Sequence, residues 1–181
     1  MKKIMNEPRD IIEEMLSGIV TSYPMIVHRV ADSRVIARNT TSSYVGIVSG
    51  GGSGHEPAHA GFVGDGMLSA AVLGDVFTSP TPDQIELAIE EANNGQGVLL
   101  VVKNYTGDIL NFEMAKEIAE MNDIAVEIVV VDDDIAVEDS TYTAGKRGVA
   151  GTILVHKILG HAAKHGADLP TLKKLGDQVV A

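Results

Sequence analysis

Val98-Leu99-Leu100-Val101-Val102-Lys103-Asn104-Tyr105-Thr106-Gly107-Asp108 sets five branched apolar residues directly against a polar hexapeptide. An unbroken valine and leucine run is the pattern of a strand buried on both faces, as in a parallel sheet covered by helices. Beyond the hexapeptide, Leu110, Met114, Ile118 and Met121 recur at helical spacing and predict a helix with those residues along one side. A second apolar run, Ala125 to Val131, ends in Asp132-Asp133-Asp134. Upstream, Thr81-Pro82-Asp83-Gln84 reads as a helix start. Thr81 can cap, Pro82 suits the first helical position and Gln84 completes a capping box. That helix is expected to run to Ala92 and stop at Asn93-Asn94-Gly95.

Further out, Tyr44 to Val48 is a short apolar strand, and Ser69 to Leu73 is another, closed by Gly74-Asp75. Ile11, Ile12, Met15, Leu16 and Ile19 form a helical stripe within Pro8–Thr21, and a last helix is expected over Gly151–Lys164. Val27–Ala37 is ambiguous, and Gly166–Ala181 reads as a polar segment. Repeated strand, loop and helix predict an α/β fold: one layered domain over residues 1–181, with a largely parallel sheet flanked by helices. In such sheets ligands sit outside the carboxyl ends of the strands. Three unusual loops follow apparent strands, Ser49–Pro57, Gly74–Pro80 and Lys103–Asp108, and would line one site if they share an edge.

Composition narrows the function classes. With 25 acidic and 14 basic residues the net charge is -11, which disfavours a phosphate backbone as partner. Four tyrosines, three phenylalanines and no tryptophan offer few stacking platforms, so nucleic acid is not an expected partner. The absence of cysteine excludes disulfides, thiolate metal sites and cysteine nucleophiles, and suits a cytoplasmic protein. Met1–Asp10 has two lysines but no apolar run behind them, so it does not read as a signal peptide, and no run reaches membrane-spanning length.

The loops carry the chemistry. Val48–Pro57, VSGGGSGHEP, lacks the Gly-Lys-Ser/Thr of a phosphate loop, and His55 stands where a dinucleotide fingerprint needs its third glycine. Its bare backbone can still donate amides to a small polar ligand, or can simply make a tight turn. His55 beside it can act as acid, base or hydrogen-bond donor. In the hexapeptide, Lys103 can neutralise a developing anion and Asp108 can take a proton from a hydroxyl; a turn with Asp108 as helix cap fits equally well. His161 and His165 are four apart without a zincin glutamate and read as a solvated helical face, while His28 and His156 read as structural. No metal site is expected: Asp132–Asp134 reads as a solvated loop or helix start rather than a magnesium cluster. Gly145-Lys146-Arg147-Gly148 is basic and fits either a phosphate contact or a surface turn.

Taken together, GGGSGHEPAHAG (Gly50–Gly61), GDVFTSPTPDQ (Gly74–Gln84), VKNYTGDILNFEMA (Val102–Ala115), VDDDIAVEDS (Val131–Ser140) and TAGKRGVAGT (Thr143–Thr152) resemble the dihydroxyacetone kinase family. The resemblance spans essentially the whole chain and is strongest to the triose-binding subunit of the phosphotransferase-dependent form. It implies phosphorylation of a dihydroxyacetone hydroxyl. His55 then matches the histidine that polarises the substrate, and Asp108 the base for the attacking hydroxyl. Gly52, Ser53, Ser79 and Lys103, with Asp108, match residues around the bound triose.

The resemblance also implies partners. No cofactor is expected in this chain; ATP or ADP with magnesium is expected on a separate nucleotide-binding kinase subunit, recharged by a phosphohistidine-carrying phosphotransferase subunit. A homodimer is implied as well. The family continues into a second domain, where a histidine in a Gly-Ile-His-Gly-Glu-Pro segment holds the triose covalently. None of the six histidines here lies in such a segment, so the chain reads as an N-terminal portion and its isolated activity is in question. Two other readings share these loops: a non-catalytic coactivator paralogue that senses dihydroxyacetone, and an ATP-dependent form with the kinase domain fused downstream.

Overall fold

The structure, a computed structural model, describes residues 3–136 and 145–181. The parts of VDDDIAVEDS and TAGKRGVAGT within 137–144 lie outside the described residues. Six strands form one sheet: β1 (Val27–Arg29), β2 (Val35–Arg38), β3 (Gly46–Ser53), β4 (Ala70–Val76), β5 (Val98–Lys103) and β6 (Val126–Val131). Their order is β1-β2-β4-β3-β5-β6. The last four in that order are parallel, while β2 joins β4 and β1 joins β2 antiparallel. The ambiguous Val27–Ala37 thus becomes an antiparallel edge.

Helices α1 (Ile11–Ser22), α2 (Pro82–Ala92), α3 (Thr106–Met121), α4 (Thr152–Lys164) and α5 (Leu169–Val180) cover the two faces. One core gathers Leu16 of α1, Leu159 of α4 and Leu172 of α5 beneath Ile47, Leu99 and Val101. The other packs Ile85 and Ile89 of α2 and Phe112 of α3 against Val48, Leu100 and Val102. Alternate residues of β5 therefore serve opposite cores, and all of Val98–Val102 is inaccessible to solvent. Each such side chain contributes about 1.5–3 kcal/mol on burial, which is why this strand needs no polar alternation.

Several local expectations are corrected. On α3 the buried residues are Asp108, Phe112, Ala115 and Ala119, whereas Leu110, Met114 and Met121 are more than half exposed. The small alanines let the helix lie close to the sheet, so the bulkier stripe is turned outward. Gly166–Ala181 contains α5, capped by the Asp168 carboxylate accepting from Thr171 N at 3.0 Å. Its buried face is sparse, Leu169, Leu172 and Gly176, so the apolar period is weak. At α2, Thr81 occupies the cap position without a side-chain cap bond, and Gln84 instead accepts from Arg34 N at 2.8 Å. The capping box is replaced by a tie to the β1–β2 edge. Among the described residues no helix is long and apolar enough to cross a membrane.

Candidate functional site

The chain runs β3, then β4 on one side of it, then β5 on the other, so the connections after these strands diverge around the end of β3. Such a switch point opens a crevice at the carboxyl edge of the sheet. There a cavity of about 250 Å³ is lined by Gly52, His55, Phe77, Ser79, Lys103, Tyr105 and Asp108. The structure thus brings together Gly52, His55, Ser79, Lys103 and Asp108 from the ends of β3 and β5 and from the segments that follow β3, β4 and β5. Ser53 is placed differently: it is buried and its hydroxyl donates to Gly74 O at 2.8 Å, tying β3 to β4.

The glycines have a backbone reason. Gly50–Gly52 are not a loop; they continue β3, paired on one side with Val72, Leu73 and Gly74. The turn after β4 folds directly onto this strand end. A Cβ on Gly52 would stand 2.5 Å from Thr78 N, and one on Gly74 would stand 1.9 Å from Thr78 O. Bare backbone here admits other backbone, and that contact delivers Ser79 to the cavity. Within Gly50–Gly54 only Gly54, at φ +116°, uses glycine's left-handed freedom, and it starts the turn that carries His55.

Asp108 is the most constrained group of the site. It lies in the first turn of α3 and is almost fully buried, so it is not the helix cap; Tyr105 holds that position. Burial pushes its carboxyl up from the usual range, while the Ser79 hydroxyl bonded to it and the Lys103 and His55 charges pull the other way. Lys103, also buried, has its ammonium pulled down by desolvation, with Asp108 and Asp133 opposing. A carboxylate drawn toward neutrality and a cation of reduced hydration now share one small cavity, a setting suited to proton transfer from a hydroxyl. His55 is exposed at the rim, its ring edge-on to exposed Phe77 at 5.3 Å between centroids.

A raised carboxyl has a signed consequence for stability. Asp108 destabilises the fold increasingly as pH climbs from 3.8 through its raised native value, because the folded state holds its proton longer than the unfolded chain does. The stability difference between Asp108→Asn and wild type therefore moves in the variant's favour across that window and is flat above it. Denaturation midpoints at a series of pH values check this; a difference independent of pH sinks it.

The acidic triplet is a loop, as one of its two readings had it, but two of its carboxylates are engaged. Asp133 accepts from Val149 N and Gly151 N, each at 2.7 Å, and Asp134 pairs with Arg147 at 2.8 Å. These bonds fasten the segment before α4 to the end of β6. They also account for Arg147, whose guanidinium holds the Asp134 carboxyl below its ordinary range. Asn104 donates to Lys146 O at 2.7 Å, closing the same corner. His161 and His165 stack on the exposed face of α4, 4.0 Å between centroids, as a solvated pair. His28 bonds Asn39 at 3.0 Å and approaches Glu91 at 3.3 Å, a surface tie between β1 and α2.

Residues that sequence reasoning missed are Phe77, Tyr105 and His59. Phe77 and Tyr105 stood inside quoted motifs as aromatic neighbours of the polar residues. His59 follows His55 by four positions in HEPAH. It is buried, with Nδ1 3.2 Å from Ser49 Oγ and 3.1 Å from His156 Nε2. A second cavity of about 310 Å³ adjoins the first, sharing His55, Lys103 and Tyr105 and adding His59 and the Gly148–Ile153 corner.

Fold and site define a class: an α/β domain with a small polar pocket at the carboxyl edge of its sheet. The Dak1 domain model matches residues 17–181. A Listeria innocua protein, "PTS-dependent dihydroxyacetone kinase 1, dihydroxyacetone-binding subunit DhaK", is 65% identical over 182 residues, covering 100% of this chain and 55% of the relative. The "DhaKLM operon coactivator DhaQ" of Lactococcus lactis is 43% identical over 174 residues, covering 96% of this chain and 53% of that protein. The dihydroxyacetone kinase from C. freundii, solved in complex with AMP-PNP and Mg2+, superposes with a TM-score of 0.92 at 41% identity. That match covers 99% of this chain and 34% of the solved one. The chain belongs to the Dak1 family. It spans about half the length of the curated relatives it matches in Listeria and Lactococcus.

Proposed function

We propose that this chain is the dihydroxyacetone-binding part of a phosphoenolpyruvate-dependent dihydroxyacetone kinase. The observation that carries the reading is the buried Asp108, its carboxyl raised by desolvation and bonded to Ser79, facing Lys103 in a 250 Å³ cavity with His55 at the rim. A three-carbon hydroxyketone suits a cavity of that size. Asp108 takes the proton of one hydroxyl as its oxygen forms a bond to the transferred phosphorus and the bond to the nucleotide's leaving oxygen breaks. Lys103 steadies the negative charge on the oxygens, and His55 donates to a second substrate oxygen. Gly52, Ser53, Ser79 and Lys103 complete the triose site, Ser53 by fixing the strand end rather than by lining the cavity.

The nucleotide, with magnesium, is supplied by a partner kinase subunit recharged by a phosphohistidine-carrying protein, in the cytoplasm, and the subunit is a homodimer. The cavity edge, open at His55 and Phe77, supports a donor arriving from outside. The coactivator reading stays specific because a relative 43% identical carries that name. Asp108 and Lys103 favour the kinase, since sensing a neutral triose needs no buried base. The deciding experiment supplies the full-length protein with dihydroxyacetone, the nucleotide-loaded partner subunit and its phosphohistidine donor, and follows triose phosphate. Turnover is expected; binding of the triose without turnover gives the coactivator reading instead.

A further inference from the structure

The hydrogen bonds around His59 fix its proton. Ser49 Oγ has one hydrogen and donates it to Val101 O at 2.6 Å, so it can only accept from His59 Nδ1. His59 therefore carries its proton on Nδ1, which also faces His156 Nε2 at 3.1 Å. That nitrogen must accept, which places the His156 proton on Nδ1. Burial first, then the nearby Lys103 charge, pushes His156 down to about 3; burial first, then the neighbouring His156 and Lys103, pushes His59 well below its ordinary value, so both rings are neutral. Besides the His156 Nδ1–H, what remains without a hydrogen-bond partner is a bare, buried lone pair on His59 Nε2. A core with no use for it would place an apolar ring here and avoid the cost of an unpaired acceptor.

The lone pair has a natural donor. Gly51 lacks a Cβ, and the point where one would stand is 3.6 Å from His59 Nε2 and 3.6 Å from Lys103 Nζ. Both residues line the 310 Å³ cavity, and Lys103 also lines the triose cavity. We propose that His59 is a positioning residue for Lys103: its Nε2, held in the bare tautomer by Ser49 and His156 and unpartnered in this structure, accepts one ammonium N–H when the flexible Lys103 side chain swings toward it. The other two are thereby directed into the triose cavity. A neutral acceptor does this without neutralising the charge that the site uses, which a carboxylate would do. The inference rests on the proposed function only for what Lys103 is steadied to bind.

The test has an arm independent of any ligand. In the ¹⁵N-labelled full-length protein, imidazole spectra are expected to show His59 and His156 each protonated on Nδ1 and bare on Nε2. A proton on His59 Nε2 overturns the proposal. His59→Asn keeps an amide at the Nδ1 position and deletes the acceptor, whereas His59→Gln places an amide oxygen near Nε2. The Lys103 ammonium, whose charged neighbours are Asp108, Asp133 and, when protonated, His55, is expected to titrate lower in His59→Asn than in wild type. Dihydroxyacetone binding is expected to weaken roughly tenfold in His59→Asn and to be largely recovered in His59→Gln, the size of one lost hydrogen bond to a charged group. Equal Lys103 titration in the two variants overturns the role. Failure of the functional reading looks different: wild type itself then fails to bind the triose, while tautomers and Lys103 titration stay as described. If neither variant folds, the wild-type tautomers still decide.

Discussion

Asp108→Asn, made in the full-length protein and assayed with its phosphoryl donor present, loses transfer by about 10²–10⁴-fold, the range of general-base catalysis. Triose affinity changes by less than about tenfold, because asparagine has nearly the same shape and can still bond the Ser79 hydroxyl that holds Asp108. The asymmetry follows from the placement of the carboxyl. Burial makes it a stronger base than a surface aspartate, Lys103 keeps it ionised, and the first turn of α3 holds it still. Asparagine preserves position and bonding but cannot take the proton. Parallel calorimetry for binding and a coupled assay for turnover separate the two quantities. Wild-type turnover in the variant removes the base from Asp108; lost binding makes it a contact residue only.

The same site shows why Lys103 and Asp108 sit together despite the cost of burying each. Two desolvated ions of opposite sign offset one another fully only in direct contact; among the described residues Lys103 and Asp108 interact through space without a direct ion pair, and both remain shifted toward their neutral forms. A structural pair would be better replaced by apolar groups. Retaining it at the mouth of a cavity points to a use for a reactive carboxyl and a poorly hydrated cation.

The sheet was legible in Val98–Val102 and Ala125–Val131 because strands buried on both faces carry their environment in composition alone. The gathering of His55, Ser79, Lys103 and Asp108 was legible too, since ligand loops follow the ends of parallel strands. What escaped depends on partners distant in sequence. The glycines of VSGGGSGHEP looked like a ligand cradle, yet Gly52 is bare because Thr78 N presses on it. Leu110, Met114 and Met121 had the right period for a buried face, but Phe112 with its alanines won the sheet. His59 was silent because its role exists only where Ser49, Lys103 and His156 converge from β3, β5 and α4. Asp133 gave no sign that it binds backbone amides sixteen and eighteen residues away.

Gly74→Ala is expected to cost more than about 4 kcal/mol, enough to unfold a domain of ordinary stability. Its added methyl would stand 1.9 Å from Thr78 O, 2.8 Å from Pro80 N and 2.9 Å from Ser79 C, all backbone that no rotamer can move aside. Relief requires lifting the whole turn after β4, which breaks the Ser53 bond to Gly74 O and withdraws Ser79 from Asp108. Overpacking a flexible core costs about 1–3 kcal/mol; a clash against three backbone atoms at once goes beyond that range. Gly18→Ala supplies the contrast: it lies on the exposed face of α1 with nothing within 4 Å of the new Cβ, so it gains about 0.5–1 kcal/mol from helix propensity. Denaturant melts of the two variants are expected to bracket wild type. A Gly74→Ala midpoint close to wild type means that the turn after β4 is free to move, and with it the seat of Ser79.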